Sequence, residues 1–166
     1  KETTKKGVVP MEPNQENSAI NITSSAFSEN GPIPVKYTCK GDNISPPLTI
    51  DNLPPGTQSV ALIMHDPDAP AGDWVHWILW NIPPETHEIT EHSVPVGAVE
   101  GMTSFDKPGY DGPCPPSGTH RYIFDVYALN TKLDLPVNTT RDQLLKAIEG
   151  HTAGQATLTG KFSAEP

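Results

Sequence analysis

Apolar positions along the chain come in short runs separated by proline-rich breaks. Seven runs read as strands: Ala19–Thr23, Val35–Tyr37, Leu48–Ile50, Ser59–His65, Val75–Asn81, Tyr122–Leu129 and Ala156–Phe162. Val60–Met64 is continuously apolar, the pattern of a strand buried on both faces. Tyr122–Leu129 mixes aromatic and β-branched residues around one charge, Asp125. Strict alternation through Val75–Asn81 would put His76, Ile78 and Trp80 on one face and Val75, Trp77 and Leu79 on the other. The breaks include Gly31-Pro32-Ile33-Pro34, Asp66-Pro67-Asp68-Ala69-Pro70 and Gly112-Pro113-Cys114-Pro115-Pro116, spaced as in a β-sandwich or barrel.

One segment follows the helical period instead. Thr140-Arg141-Asp142-Gln143 has the form of a capping box, and Leu144, Leu145, Ala147 and Ile148 make an apolar stripe. Gly150 stands where the chain should turn away, so a helix over about 141–149 is expected. A shorter helical turn is expected near Pro83–Thr86. The stretch Glu85–Thr119 has little strand signal, and its glycines and Tyr110 point to an ordered functional loop. No internal repeat or second domain is visible. Residues 1–17 are polar, mixed in charge and aperiodic, which suggests a tail or tether before a single domain over 18–166.

Composition agrees with the mostly β reading. The chain holds 19 prolines in 166 residues, well above the usual ~5% share, and proline is excluded from helix interiors and central strands. Basic residues number 11 and acidic ones 20, for a net charge of −9. That balance excludes a nucleic-acid binder or a general binder of anionic membranes, both of which need a basic surface. No apolar run approaches the roughly 18 residues of a transmembrane helix. The chain begins at Lys1 rather than Met, so a processed form is expected, with an extracytoplasmic location ahead of a cytoplasmic one. Cys39 and Cys114 could form one disulfide or remain two thiols; export would favour the bridge.

Three segments carry candidate chemistry. Asp66 and Asp68 stand where the apolar strand emerges, between prolines that stiffen the loop. Taken alone, they read equally as backbone-capping turn residues. His76 lies among tryptophans, where a satisfied core histidine is the plainer reading. The densest segment runs from Gly109 to Tyr122. His120 and Tyr122 are two apart and share a face, while Gly112 and Gly118 would let backbone amides approach a ligand. Imidazole, phenol and amides form a donor set suited to phosphate or carboxylate oxygens, and a rigid Tyr–His packing pair is the alternative.

Together, Asp66-Pro67-Asp68-Ala69-Pro70, His76-Trp77 through Asn81-Ile82-Pro83, and Gly112-Pro113-Cys114-Pro115-Pro116 through His120-Arg121-Tyr122 resemble one family. It is the phosphatidylethanolamine-binding protein, or Raf kinase inhibitor protein, family in its bacterial and archaeal branch. Tyr37-Thr38-Cys39 and Asn43-Ile44-Ser45-Pro46-Pro47-Leu48 fit the same branch, and the likeness covers about residues 19–164. The resemblance implies a Greek-key β-sandwich of two antiparallel sheets. It implies a small anion pocket lined by Asp66, His76, Gly112, Pro116, His120 and Tyr122, with Asp68 nearby. Either Pro113 or Pro116 could take the family's proline position. Family members bind phosphate, phospholipid headgroups or phosphorylated groups, and act as regulators of kinases or inhibitors of serine proteases. The eukaryotic members' C-terminal helix has no counterpart after Phe162, which should leave the site open.

The expected function is therefore non-enzymatic binding of a small anion, with no cofactor and a kinase or serine protease as a candidate partner. A serine-protease inhibitor acting through an exposed loop is one alternative. A metal-dependent hydrolase on His76, His120 and Asp66 is another. Asp66 should accept a histidine N–H and raise that histidine's pKa, so anion binding should strengthen as pH falls through the histidine range. Pro67, Pro70, Pro113, Pro115 and Pro116 would form a preorganised rim.

Overall fold

The computed structural model describes residues 19–164, so the expected tail over 1–17 lies outside the described residues. The strands are β1 (Asn21–Thr23), β2 (Leu48–Asp51), β3 (Ser59–Asp66), β4 (Trp74–Ile82), β5 (Glu88–Ile89), β6 (Val99–Glu100), β7 (Thr119–Leu129) and β8 (Thr152–Ser163). The larger sheet has the order β8-β7-β3-β4-β6 and the smaller one β1-β2-β5, with every strand pair antiparallel. Within the larger sheet β3, β4 and β6 are neighbours in sequence. β7 then returns by a long connection to lie beside β3, which is the Greek-key order.

The apolar run in β3 is buried on both faces, as its composition requires. Leu62 and Met64 join Trp77, Leu79, Phe124 and Val126 in the core between the sheets, with Ile22, Leu48 and Ile50 from the smaller sheet. Ala61 and Ile63 face the other way, into a second core with Ile78, Trp80 and Leu129. This second core is covered by the helix α1 (Arg141–Ile148) through Leu144 and Ile148. The capping box forms in both directions: Gln143 N–H donates to Thr140 Oγ1 at 3.3 Å, and Thr140 N–H to Gln143 Oε1 at 2.9 Å. Gly150 takes φ of +82° just beyond the helix, as a C′ glycine does.

Three expectations are corrected. Val35–Tyr37 is a 3-10 turn, not a strand. Pro34 fixes the entry at φ −59°, and the Tyr37 and Thr38 amides fold back onto the Pro34 and Val35 carbonyls. Only Tyr37 is buried there, so local β propensity has no sheet to join. Pro83–Thr86 is a single turn closed by the Thr86 amide on the Pro83 carbonyl, not a helix. The stretch 85–119 contains two strands of two residues each, β5 and β6, too short to leave an alternating pattern.

Strict alternation also fails along β4. Met64 pairs with Trp77 but His65 with Val75, so His76 is the extra residue of a β-bulge. Val75 therefore shares a side with Ile78 and Trp80. His76 leaves that face and turns instead toward Tyr122, its ring centroid 5.3 Å away. A second irregularity between Val60 and Leu62, with Asn81 at φ +58°, inserts another extra residue in β4 farther along.

Candidate functional site

The ends of β3 and β7 and the bulge in β4 surround a cavity of about 300 Å³. Its polar floor consists of Asp66, His76, His120 and Tyr122. Its apolar walls are Trp74 and Phe105 on one side and the chain at Cys114–Pro116 on the other. Ala69, Pro70 and Ala71 complete the rim. Each polar side chain is fixed from behind. Asp66, 3% exposed, takes His120 Nδ1 on Oδ2 at 2.6 Å and the Asp68 amide on Oδ1 at 2.8 Å. The first contact orients the His120 ring and leaves its Nε2 without a protein partner.

His76 is held differently. Its Nδ1 lies 2.5 Å from the Asp111 carbonyl, and a carbonyl can only accept, so Nδ1 carries the proton. Burial pushes this imidazole below its usual pKa; the Asp111 carbonyl and the nearby Asp66 charge offset that only in part. The neutral ring, which burial favours, presents a bare lone pair at Nε2. Asp66 bonds His120 and not His76, where desolvation dominates.

Tyr122 is fully buried, and its hydroxyl makes no well-formed hydrogen bond among the described residues. Asp66 and the Cys114 backbone amide lie close enough to interact with it. Burial, then the Asp66 charge, raises its pKa, so it remains a neutral donor. A buried hydroxyl without a partner is costly, and a ligand oxygen would relieve that cost.

The remaining sequence candidates separate. Pro116 lines the cavity and Pro113 does not. Asp68 does not line the cavity; Arg121 clamps it through Nε at 2.9 Å, Nη2 at 2.8 Å and the backbone amide at 2.9 Å. These bonds lower its pKa to about 2. Gly112 lies behind the wall, its amide donating to Asn43 Oδ1 at 2.8 Å. It is glycine because a Cβ there would run into the Tyr37 carbonyl and Asn43 Oδ1, not because a ligand approaches it. Gly118 is exposed and lines nothing in the cavity.

Pro67, like Pro113, is absent from the cavity surface, whereas Pro70 and Pro115 belong to it. Cys39 and Cys114 form a disulfide across a sequence separation of 75, tying the 3-10 turn to the cavity wall. Sequence reasoning missed Trp74 and Phe105. Phe105 reaches the site because the Val75 amide donates to Ser104 Oγ at 2.8 Å and the Ser104 amide to the Val75 carbonyl at 3.0 Å. Those contacts join residues about 30 apart, and no local pattern signals them.

The two-sheet sandwich thus delivers a His–Asp pair, a second histidine and a buried tyrosine to one small cavity. The sequence profile of the phosphatidylethanolamine-binding protein family matches residues 23–163. A UPF0098 protein of Methanothermobacter thermautotrophicus is 46% identical over 148 residues, covering 86% of this chain and 98% of that one. A candidate lipoprotein, LppC of Mycobacterium tuberculosis, is 41% identical over 145 residues, covering 86% and 72% respectively. Among solved structures, Escherichia coli YbcL, described as a member of the mammalian family, superimposes with a TM-score of 0.81. It is 30% identical and covers 87% of this chain and 98% of its own. The chain belongs to the phosphatidylethanolamine-binding protein family.

Proposed function

We propose that the protein is a non-enzymatic binding module that takes a small phosphate-like anion, free or on a larger partner, into the cavity at Asp66, His76, His120 and Tyr122. The observation that carries this reading is the Tyr122 hydroxyl, buried without a partner beside a histidine aligned by a carboxylate. Binding rather than catalysis fits the lining, which offers no serine and no free thiol. The metal-hydrolase reading is disfavoured by the donors themselves. No group of three His, Cys, Asp or Glu side chains placed to hold a metal ion occurs among the described residues. The inhibitor reading needs an extended exposed loop. The most exposed apolar side chain, Val96, instead sits in a turn closed by the Ala98 amide on the Pro95 carbonyl. A kinase or protease remains the kind of partner a liganded cavity would regulate.

An extracytoplasmic location belongs to the same proposal. The exposed disulfide and the candidate-lipoprotein relative support it, and fractionation of native cells tests it. No helix of the described residues is long and apolar enough to cross a membrane. Phosphate titration followed by NMR tests the binding reading. His120 and Tyr122 resonances should shift saturably, and absence of any shift at millimolar phosphate refutes it.

A further inference from the structure

Three groups in the cavity can touch a bound oxyanion, and they differ in what they offer. Tyr122 offers an O–H that makes no well-formed hydrogen bond among the described residues. His120, with Nδ1 spent on Asp66, can donate from Nε2 only as an imidazolium. His76 can only accept. Its single proton is committed to the Asp111 carbonyl, and its Nε2 has no partner in the protein.

That commitment is built in by several residues. The Asp111 amide donates back to the His76 carbonyl at 3.2 Å, closing a two-bond bracket around the histidine. Asn43 then clamps the bracket: its Nδ2 donates to Asp111 Oδ1 at 2.9 Å, and its Oδ1 accepts the Gly112 amide at 2.8 Å. The charged groups around His76 are Asp66 on β3, His120 on β7, Asp111 in the loop with its partner Lys107, and His65 across the sheet. Burial outweighs them and lowers the ring's pKa, favouring its neutral form.

A fully ionised oxyanion would therefore bring oxygen lone pairs against the His76 lone pair. An anion that keeps one O–H would satisfy it. Resting on the anion-binding reading, we propose that His76 is a specificity residue that selects singly charged phosphoryl groups retaining one acidic hydroxyl, as in a phosphate monoester monoanion, over sulfate and over phosphodiesters. A phosphodiester monoanion matches the charge but has no P–OH to give, so it isolates the hydrogen bond from electrostatics.

The test is calorimetric titration of the intact protein with methyl phosphate, dimethyl phosphate, inorganic phosphate and sodium sulfate at about pH 5.5, where a monoester keeps its second proton. Methyl phosphate or inorganic phosphate should bind about tenfold or more tighter than dimethyl phosphate or sulfate, the scale of one unmet buried acceptor. Which of the two binds better tells whether the site favours an esterified or a free phosphoryl group. On raising the pH to about 8, affinity for methyl phosphate should fall more steeply than affinity for dimethyl phosphate, because only the monoester loses its O–H. In His76→Gln, whose amide can donate as well as accept, the discrimination should shrink to about twofold. Should that variant fail to fold, the comparison of ligands on the native chain decides alone. Dimethyl phosphate or sulfate binding as well as methyl phosphate overturns the specificity claim and leaves the anion site standing. No binding of any of the four probes overturns the anion site itself.

Discussion

His65 and Asp66 are adjacent on β3 and serve opposite faces of the same sheet. His65 lies between two carboxylates, with Nδ1 2.7 Å from Asp73 and Nε2 2.9 Å from Asp125. Arg141 of α1 closes the group by donating to Asp73 at 2.6 Å. Burial would lower the His65 pKa, but the bonds to Asp125 and Asp73 prevail and raise it. On the other face, Asp66 holds one histidine while a second stays neutral and a tyrosine hydroxyl is left unmatched. Both regions are rich in histidine and aspartate, so composition cannot separate them. Satisfaction does: the His65 group has every partner it can use and reads as structural, whereas the cavity is short of partners and reads as a site.

Exchanging the two regions' phenotypes is the strongest way to break this comparison. His120→Ala should weaken phosphate binding by about tenfold or more, and it also lowers the melting temperature because the buried Asp66 carboxylate loses its partner. His65→Ala should lower the melting temperature too but leave phosphate affinity within about twofold. If His65→Ala abolished binding, the division between structural cluster and site would fail.

Next in size is the disulfide, which braces only the cavity side. Cys39→Ser with Cys114→Ser should cost about 2–5 kcal/mol in chemical denaturation. Hydrogen exchange should accelerate in 110–118 and not around Asp125. Below it comes Asp125→Ala, which unpairs His65 Nε2 and the Thr157 hydroxyl. A loss of about 1–3 kcal/mol is expected from unmet partners, and no measurable loss would class the His65 group as surface ornament.

The smallest effect is the pH dependence, and it carries opposite signs in the two regions. His65 has a raised folded pKa, so its contribution is full below the ordinary value of 6.5 and is lost as pH rises through the folded pKa. His76 has a lowered one, so its contribution is full above 6.5 and is lost as pH falls through the folded pKa. NMR titration of the two rings should place His65 above 6.5 and His76 below it; the reverse order would contradict both assignments.

Particular residues show how far the sequence could be read. Val60–Met64 announced a strand buried on both faces because a continuous apolar run in a short element has no polar side to show. The Thr140–Gln143 box announced α1 because capping is local chemistry. Asp66, His76, His120, Tyr122 and Pro116 were legible as a set and meet at one cavity. Gly112 was legible as special but for the wrong reason, since what crowds it is Tyr37, far away in sequence. Val35–Tyr37 misled because β propensity is realised only beside another strand.

By itself, the sequence determined the mostly β architecture, the helix and its caps, and the identities of the groups that can donate or accept in the cavity. These follow from side-chain period, backbone restriction by proline and intrinsic chemistry, all properties of neighbours in the chain. The tertiary structure alone decided which nitrogen of His76 carries the proton, that the bulge aims this ring at Tyr122, and that Phe105 and Trp74 wall the site. Each of those outcomes depends on a pairing between distant segments, and a one-residue change of register in β4 is enough to move a histidine from one face of a sheet to the other.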